Sequence, residues 1–153
     1  MEANMTGSEA RDVVNEFIAR VDTAAGGGDA DPYAMLDEDV TVLVNGTTPL
    51  SGYFPGLGIT RKVLVNTATQ RLASGTVKVI DTIAGAGRVA ALLEITAETK
   101  TGKTYNEARD PAGCVFGVEG EKINYINLFP DTTLIETVIF NRKFVPNNAA
   151  DGS

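Results

Sequence analysis

Residues 101–140 read TGKTYNEARDPAGCVFGVEGEKINYINLFPDTTLIETVIF, and their pattern decides the fold. Two apolar runs, Cys114–Val118 and Lys122–Phe129, flank Glu119-Gly120-Glu121, a polar turn with one glycine; this is a hairpin signature. Asp131, after Pro130, opens a short helical pattern through Leu134, Ile135, Val138 and Ile139. Upstream, Thr101-Gly102-Lys103 turns a strand over Arg88–Lys100 into another that starts near Thr104. In the first of these, Val89, Ala91, Leu93, Ile95 and Ala97 face one way, and Ala90, Leu92, Glu94, Thr96 and Glu98 face the other. Ala84-Gly85-Ala86-Gly87 links it back to a strand over Thr76–Ile83. The spacing predicts a four-stranded antiparallel meander followed by a short helix.

The N-terminal half supplies the helices. Thr6 with Glu9 fits a capping box. Val13, Val14, Phe17, Ile18 and Val21 recur at helical spacing, so an amphipathic helix is expected over Ser8–Ala25, ended by Gly26-Gly27-Gly28. Asp31-Pro32 opens a short helix over Pro32–Leu36. Val40–Val44 reads as a strand, and Asn45-Gly46 turns the chain. Residues 47–58 read as a loop carrying Tyr53 and Phe54. Ile59, Val63, Leu64, Thr67, Ala68 and Leu72 mark a second long helix over Ile59–Ala73. Helices at the front and hairpins at the back imply an α+β fold with a curved sheet. Residues 1–153 form one expected domain, with 1–7 and 146–153 expected to be flexible.

Composition narrows the chemistry. A net charge of −7 argues against nucleic acid or an anionic membrane as the main partner. No apolar run approaches the length of a membrane span, and the N-terminus lacks the basic start and apolar core of a signal peptide. The single cysteine, Cys114, cannot form an internal disulfide, so a cytoplasmic home is expected. There is no histidine. That removes the usual general base and the usual metal ligand, and leaves acid–base work to Asp, Glu, Tyr or Lys. Neither a metal nor a cofactor is expected. Asp37, Glu38 and Asp39 follow a helix end, where acids are normally solvated. Gly26-Gly27-Gly28 follows a helix and does not open one after a strand, so it is no phosphate loop.

The element order resembles the NTF2-like superfamily, and within it the SnoaL-like and ketosteroid-isomerase-like proteins. Leu36-Asp37-Glu38-Asp39-Val40-Thr41-Val42 looks like the family's passage from second helix to first strand. Residues 49–56, PLSGYFPG, look like the loop before its third helix, and Phe116–Ile123 followed by Asp131 looks like its closing hairpin. Residues 101–106 resemble a stretch of limonene-epoxide hydrolase. The resemblance implies a cone: a curved antiparallel sheet wrapped around N-terminal helices, an apolar pocket, and a homodimer formed through the sheet. It does not carry over a catalytic set. Phe17 and Val44 stand where a ketosteroid isomerase has its tyrosine and base aspartate, with Asp110 near the second aspartate. Glu94, Leu92 and Leu128 stand where the hydrolase has Asp, Arg and Asp.

The residues themselves nominate a site. Glu94 sits mid-strand between apolar neighbours, where a buried carboxylate is costly and its pKa rises. It is either a general acid or base, or a solvated or dimer-facing carboxylate paired with a lysine or arginine. Glu107, Arg109 and Asp110 cluster before Pro111, which marks a bulge or edge; they re-aim towards a site or form a surface pair. Tyr125 and Asn127 share an apparent strand face with Ile123 and Phe129, a pocket-like mixture, or Tyr125 is a core tyrosine. Tyr53 and Phe54 cap a pocket mouth or pack their loop. Of Tyr105 and Asn106, only one can face inward. Cys114 reads as a small core residue.

The expected function is binding of a small apolar, oxygenated molecule, polyketide- or terpenoid-like, with no nucleic-acid or membrane partner. Cofactor-free isomerisation, cyclisation or dehydration would use Glu94 and Asp110 as acid and base. Tyr53, Phe54, Tyr105, Tyr125 and Asn127 would contact the substrate. The alternative is a non-catalytic ligand-binding or dimerisation module.

Overall fold

The computed structural model describes residues 5–143. Helix α1 spans Gly7–Ala25, with the expected capping box: the Glu9 N–H donates to Thr6 Oγ1 and the Thr6 N–H to Glu9 Oε1, both at 3.0 Å. Thr6 and Gly7 thereby stand at the head of the chain's first helix, and residues 1–4 lie outside the described residues. The C-terminal stretch 146–153 lies outside the described residues. A 3₁₀ turn over Pro32–Met35 follows, capped by the Asp31 carboxylate. Leu36, expected in that helix, instead starts strand β1 (Leu36–Val44).

Tyr53 and Phe54, expected in a loop, lie in strand β2 (Gly52–Pro55), which pairs antiparallel with β1. Pro55 is tolerated because β2 is an edge strand. Helix α2 covers Leu57–Arg71, and then β3 (Leu72–Gly85), β4 (Arg88–Thr99), the short β5 (Thr104–Tyr105), β6 (Pro111–Glu119) and β7 (Lys122–Phe129) follow. A single helical turn, α3 (Thr132–Leu134), runs into a π turn over Ile135–Ile139.

The strands form a seven-stranded sheet in the order β2-β1-β7-β6-β4-β3, with β5 on β4. The meander is antiparallel as expected. Pairing of β1 with β7 adds a parallel contact that local pattern could not reveal.

Alternation along β4 holds. Val89, Ala91, Leu93 and Ala97 are buried on the side covered by the helices. Helix α1 lays Val14, Phe17 and Ile18 on this face, and Phe17 meets Phe116 edge-on at 6.2 Å. Burying these side chains drives the docking of α1. At the rim, Asp22 clamps α1 to β3, accepting from the Val77 N–H at 2.8 Å and from Lys78 Nζ at 2.7 Å. Helix α2 packs more loosely: Thr60 is its one buried residue, and Ile59 and Leu64 of its expected apolar stripe are exposed.

Two bulges shift what the alternation predicts. Ile80 is an extra residue in β3, between the pairs Val79–Leu93 and Asp81–Leu92. Asn124 is an extra residue in β7, between Ile123–Val118 and Tyr125–Gly117. An extra residue exchanges the faces of everything beyond it. Ile123 therefore joins the core with Ile126 and Leu128, while Tyr125 and Asn127 turn to the opposite face. The expectation that Tyr125 and Asn127 share a face with Ile123 is corrected on this ground.

Gly117 makes the bulge possible. A Cβ there would lie 2.6 Å from Asn124 Oδ1 and 2.9 Å from Tyr125 Cβ. Gly117→Ala is expected to destabilise the fold by about 1–3 kcal/mol, an overpacking cost. A urea-denaturation midpoint unchanged from wild type would contradict the bulge assignment.

Candidate functional site

The uncovered face of the sheet gathers most of the nominated residues. Its first cross-strand row runs Thr41, Tyr125, Gly117, Arg88. The next runs Tyr53, Leu43, Asn127, Val115, Ala90, Ile83. A third holds Phe129, Gly113, Leu92 and Asp81, and a fourth Pro111, Glu94 and Lys78.

The middle of this face is apolar. Ala90 and Gly113 are small, and Ile83, Leu92, Val115 and Phe129 stand around them, forming a groove of about 400 Å³. Ile83 is 78% exposed, Phe129 49% and Leu92 43%.

One end of the groove is a polar row. Asn45 Nδ2 donates to Asn127 Oδ1 at 2.6 Å and to the Leu128 carbonyl at 2.8 Å. Asn127 Nδ2 donates to the Tyr125 hydroxyl at 3.1 Å, and the Arg88 guanidinium lies 4.8 Å over the Tyr125 ring. Asn45 and Arg88 were not nominated from sequence. Their only signal was position: a turn residue after β1 and the first residue of β4.

The other end is charged. Glu94 lies 3.6 Å from Arg109 on the outer face, beside Lys78 and Pro111. Asp110 is exposed at the start of β6. The local organiser is Asn106, buried with φ 58°. Its Nδ2 donates to the carbonyls of Ile95 and Asp110, both at 2.9 Å, and its Oδ1 accepts from the Asp110 N–H at 3.0 Å. This knot holds Arg109, also at positive φ (59°), against Glu94. Of the two carboxylates nominated as catalytic, Glu94 thus stands on the outer face, between β3 and β6, and Asp110 is exposed in the loop just before β6.

Two nominated residues go inward. Phe54 is half-buried against the main core. Tyr105 is buried on the helix side with Ala97 and Ile135. Tyr53, its neighbour Phe54 notwithstanding, is 61% exposed on the outer face. The helix side of the sheet is apolar, and the buried polar side chains among the described residues are Thr48, Thr60, Thr99 and Asn106, none of them a carboxylate. Burial pushes the Cys114 thiol up to about 12, although the Asn127 backbone opposes the shift, so it is no thiolate at neutral pH.

This architecture, with helices on one face of a curved mixed sheet, recurs in solved structures. The chain matches an NTF2-like protein of unknown function from Burkholderia pseudomallei with a TM-score of 0.70, at 16% identity, over 85% of this chain and 96% of that one. It has the NTF2-like fold. A second NTF2-like protein, from Burkholderia xenovorans, matches with a TM-score of 0.66 at 20% identity, over 88% of this chain and 98% of that one. TerC, co-crystallised with polyporic acid, matches with a TM-score of 0.65 at 16% identity, over 86% and 98% respectively. No family model matches the sequence, and no curated protein does. No helix among the described residues is long and apolar enough to cross a membrane.

Burial raises the Tyr105 phenol to about 12, the Asp131 carboxylate adds to the shift, and the Asp131 backbone opposes it. An unfolded tyrosine titrates near 10. Above that pH the unfolded chain loses a proton that the NTF2-like cone retains, so stability falls as pH rises from about 10 to about 12. Tyr105→Phe should flatten this alkaline limb in denaturation midpoints measured across that range. An unchanged limb would show that Tyr105 is not the group responsible.

Proposed function

We propose that this NTF2-like chain is a non-catalytic ligand-binding and dimerisation module. It pairs with a second copy through the outer face of its sheet. It holds an apolar, oxygenated small molecule, of polyketide or terpenoid character, on the apolar inner side of the cone.

The observation that carries this reading is the segregation of groups across the sheet. Cofactor-free isomerisation, cyclisation or dehydration requires a carboxylate within reach of the ligand. Glu94 stands on the other side of the sheet from the apolar wall of Val89, Ala91, Leu93 and Ala97, and Asp110 is exposed in the loop before β6. That inner wall offers the phenol of Tyr105 and the thiol of Cys114, weak acids already protonated at physiological pH and pushed further up, to about 12, by burial. A neutral phenol orients a ligand oxygen by donating a hydrogen bond and does not abstract a proton. Polyporic acid on TerC is an oxygenated ligand on a similar fold. We place the protein in the cytoplasm, where the lone buried Cys114 needs no oxidised partner.

The outer groove supports pairing with a second copy. Exposed apolar surface of this kind is covered in stable proteins. Along β4 the outer face reads Arg88, Ala90, Leu92, Glu94. A twofold axis between Ala90 and Leu92 sets the Arg88 end of one copy against the Glu94 end of the other, so the face complements itself in charge and shape.

Light scattering should therefore give a dimer mass for the wild type and a monomer mass for Leu92→Asp. Arg88→Glu should weaken association by about tenfold or more, and the double exchange Arg88→Glu with Glu94→Arg should restore most of it. A Leu92→Asp protein that remains dimeric would place the interface elsewhere.

A further inference from the structure

The wide end of the cone has its own small core, separate from the one built by α1. Ile135, 4% exposed, sits on a floor of Ala97 and Tyr105. Leu134, Val138, Ile139 and Phe140 surround it, packed against Leu50, Leu72 and Ile95. The segment that fills this seat is α3 and its π turn, closed by the Phe140 N–H on the Ile135 carbonyl at 3.0 Å.

This segment is held weakly. A helical turn and a π turn are too short to be stable without packing. Among the described residues, its ties beyond apolar contact include the Asp131 cap, the Asp131 backbone bond to Tyr105, Arg71 stacked 4.5 Å over the Phe140 ring, and an exposed bond from Lys103 to Asn141. Beside it lies a cleft of about 410 Å³ lined by threonine hydroxyls, from Thr47 and Thr48 on one side and Thr132, Thr133 and Thr137 on the other, and by the charged Glu136, Arg142 and Lys143. The segment is therefore packed on one side, with open space on the other.

We propose that Leu134–Phe140 occupies, in this closed form, the seat of the apolar ligand, and that it swings into the cleft beside it to admit that ligand. The inference rests on the ligand-binding reading above and adds the location and the gate. The vacated seat is walled by Leu50, Leu72, Ile95 and Ala97, with Tyr105 as its polar group. It suits a flat apolar molecule with one oxygen placed to accept from the Tyr105 hydroxyl.

The test uses the full chain and the dye 1-anilinonaphthalene-8-sulfonate. Ile135→Ser loosens the segment and should raise dye affinity about tenfold or more. Adding Ala97→Leu fills the floor and should abolish that gain. Hydrogen exchange on the unaltered protein is the second measurement, independent of whether a variant folds. Amides of 133–140 should exchange at least about a hundredfold faster than those of β4 and β6. Exchange of the segment together with those strands overturns the gate. Dye binding that Ala97→Leu leaves intact overturns the seat but leaves the ligand-binding reading standing. Absence of dye binding to every variant overturns both.

Discussion

The whole arrangement depends on α1 having one apolar stripe. Val14, Phe17 and Ile18 can cover one face of one sheet, and they cover the face that carries Val89, Ala91, Leu93, Cys114 and Phe116. Everything else is a consequence. The narrow end of the cone is filled by this helix. The wide end needs another occupant, and the C-terminal segment supplies it. Among the described residues no helix covers the reverse face, and Ile83, Leu92 and Phe129 on it are exposed. A sheet open on one side can persist only if that side is polar or covered by a partner. Here it is polar at both ends and apolar between them.

How far this was legible in the sequence can be followed residue by residue. The strict alternation of β4 from Val89 to Ala97 gave the correct two faces, because the burial period of an uninterrupted strand is two. The hairpin around Gly120 and the capping box at Thr6 are local chemistry, and local chemistry reads well. The bulges do not, since an inserted residue leaves composition unchanged. Yet a trace of the Asn124 bulge is present: Ile123 and Ile126, both in the core, are three residues apart where an unbroken strand would have two or four. Strand β2 was hidden by its glycine and proline, which the edge of a sheet tolerates. The parallel pairing of β1 with β7 joins residues some eighty positions apart and has no local signal.

The nominated site fared according to the same rule. Glu94 was assigned to a strand face opposite Val89 and Leu93, and it is there; what sequence could not say is which face the helix takes. Tyr125 and Asn127 were grouped with Ile123 by counting in twos, and the bulge moved them across the sheet. Of Tyr105 and Asn106 only one was expected to face inward, and both are buried. Asn106 is buried because its φ of 58° turns the backbone and its amide satisfies the carbonyls of Ile95 and Asp110. A short polar side chain that mimics backbone tolerates that conformation where most residues do not.

The separation of polar and apolar groups across a single sheet bears directly on chemistry. A carboxylate poised for proton transfer needs a desolvated setting to raise its pKa and a ligand within reach. Glu94 is paired with Arg109 on the outer face, and the apolar wall lies behind the strand. The groups that do face inward are a phenol and a thiol, already protonated at physiological pH and pushed further up by burial. Burial therefore works against acid–base catalysis on the inner side, since both groups begin as weak acids and are made weaker. The Tyr105 oxygen accepts from the Asp131 backbone, which leaves its hydroxyl hydrogen as the donor it can offer. A cone built this way keeps a neutral phenol and thiol on its inner side and its Glu94–Arg109 pair on the outer one.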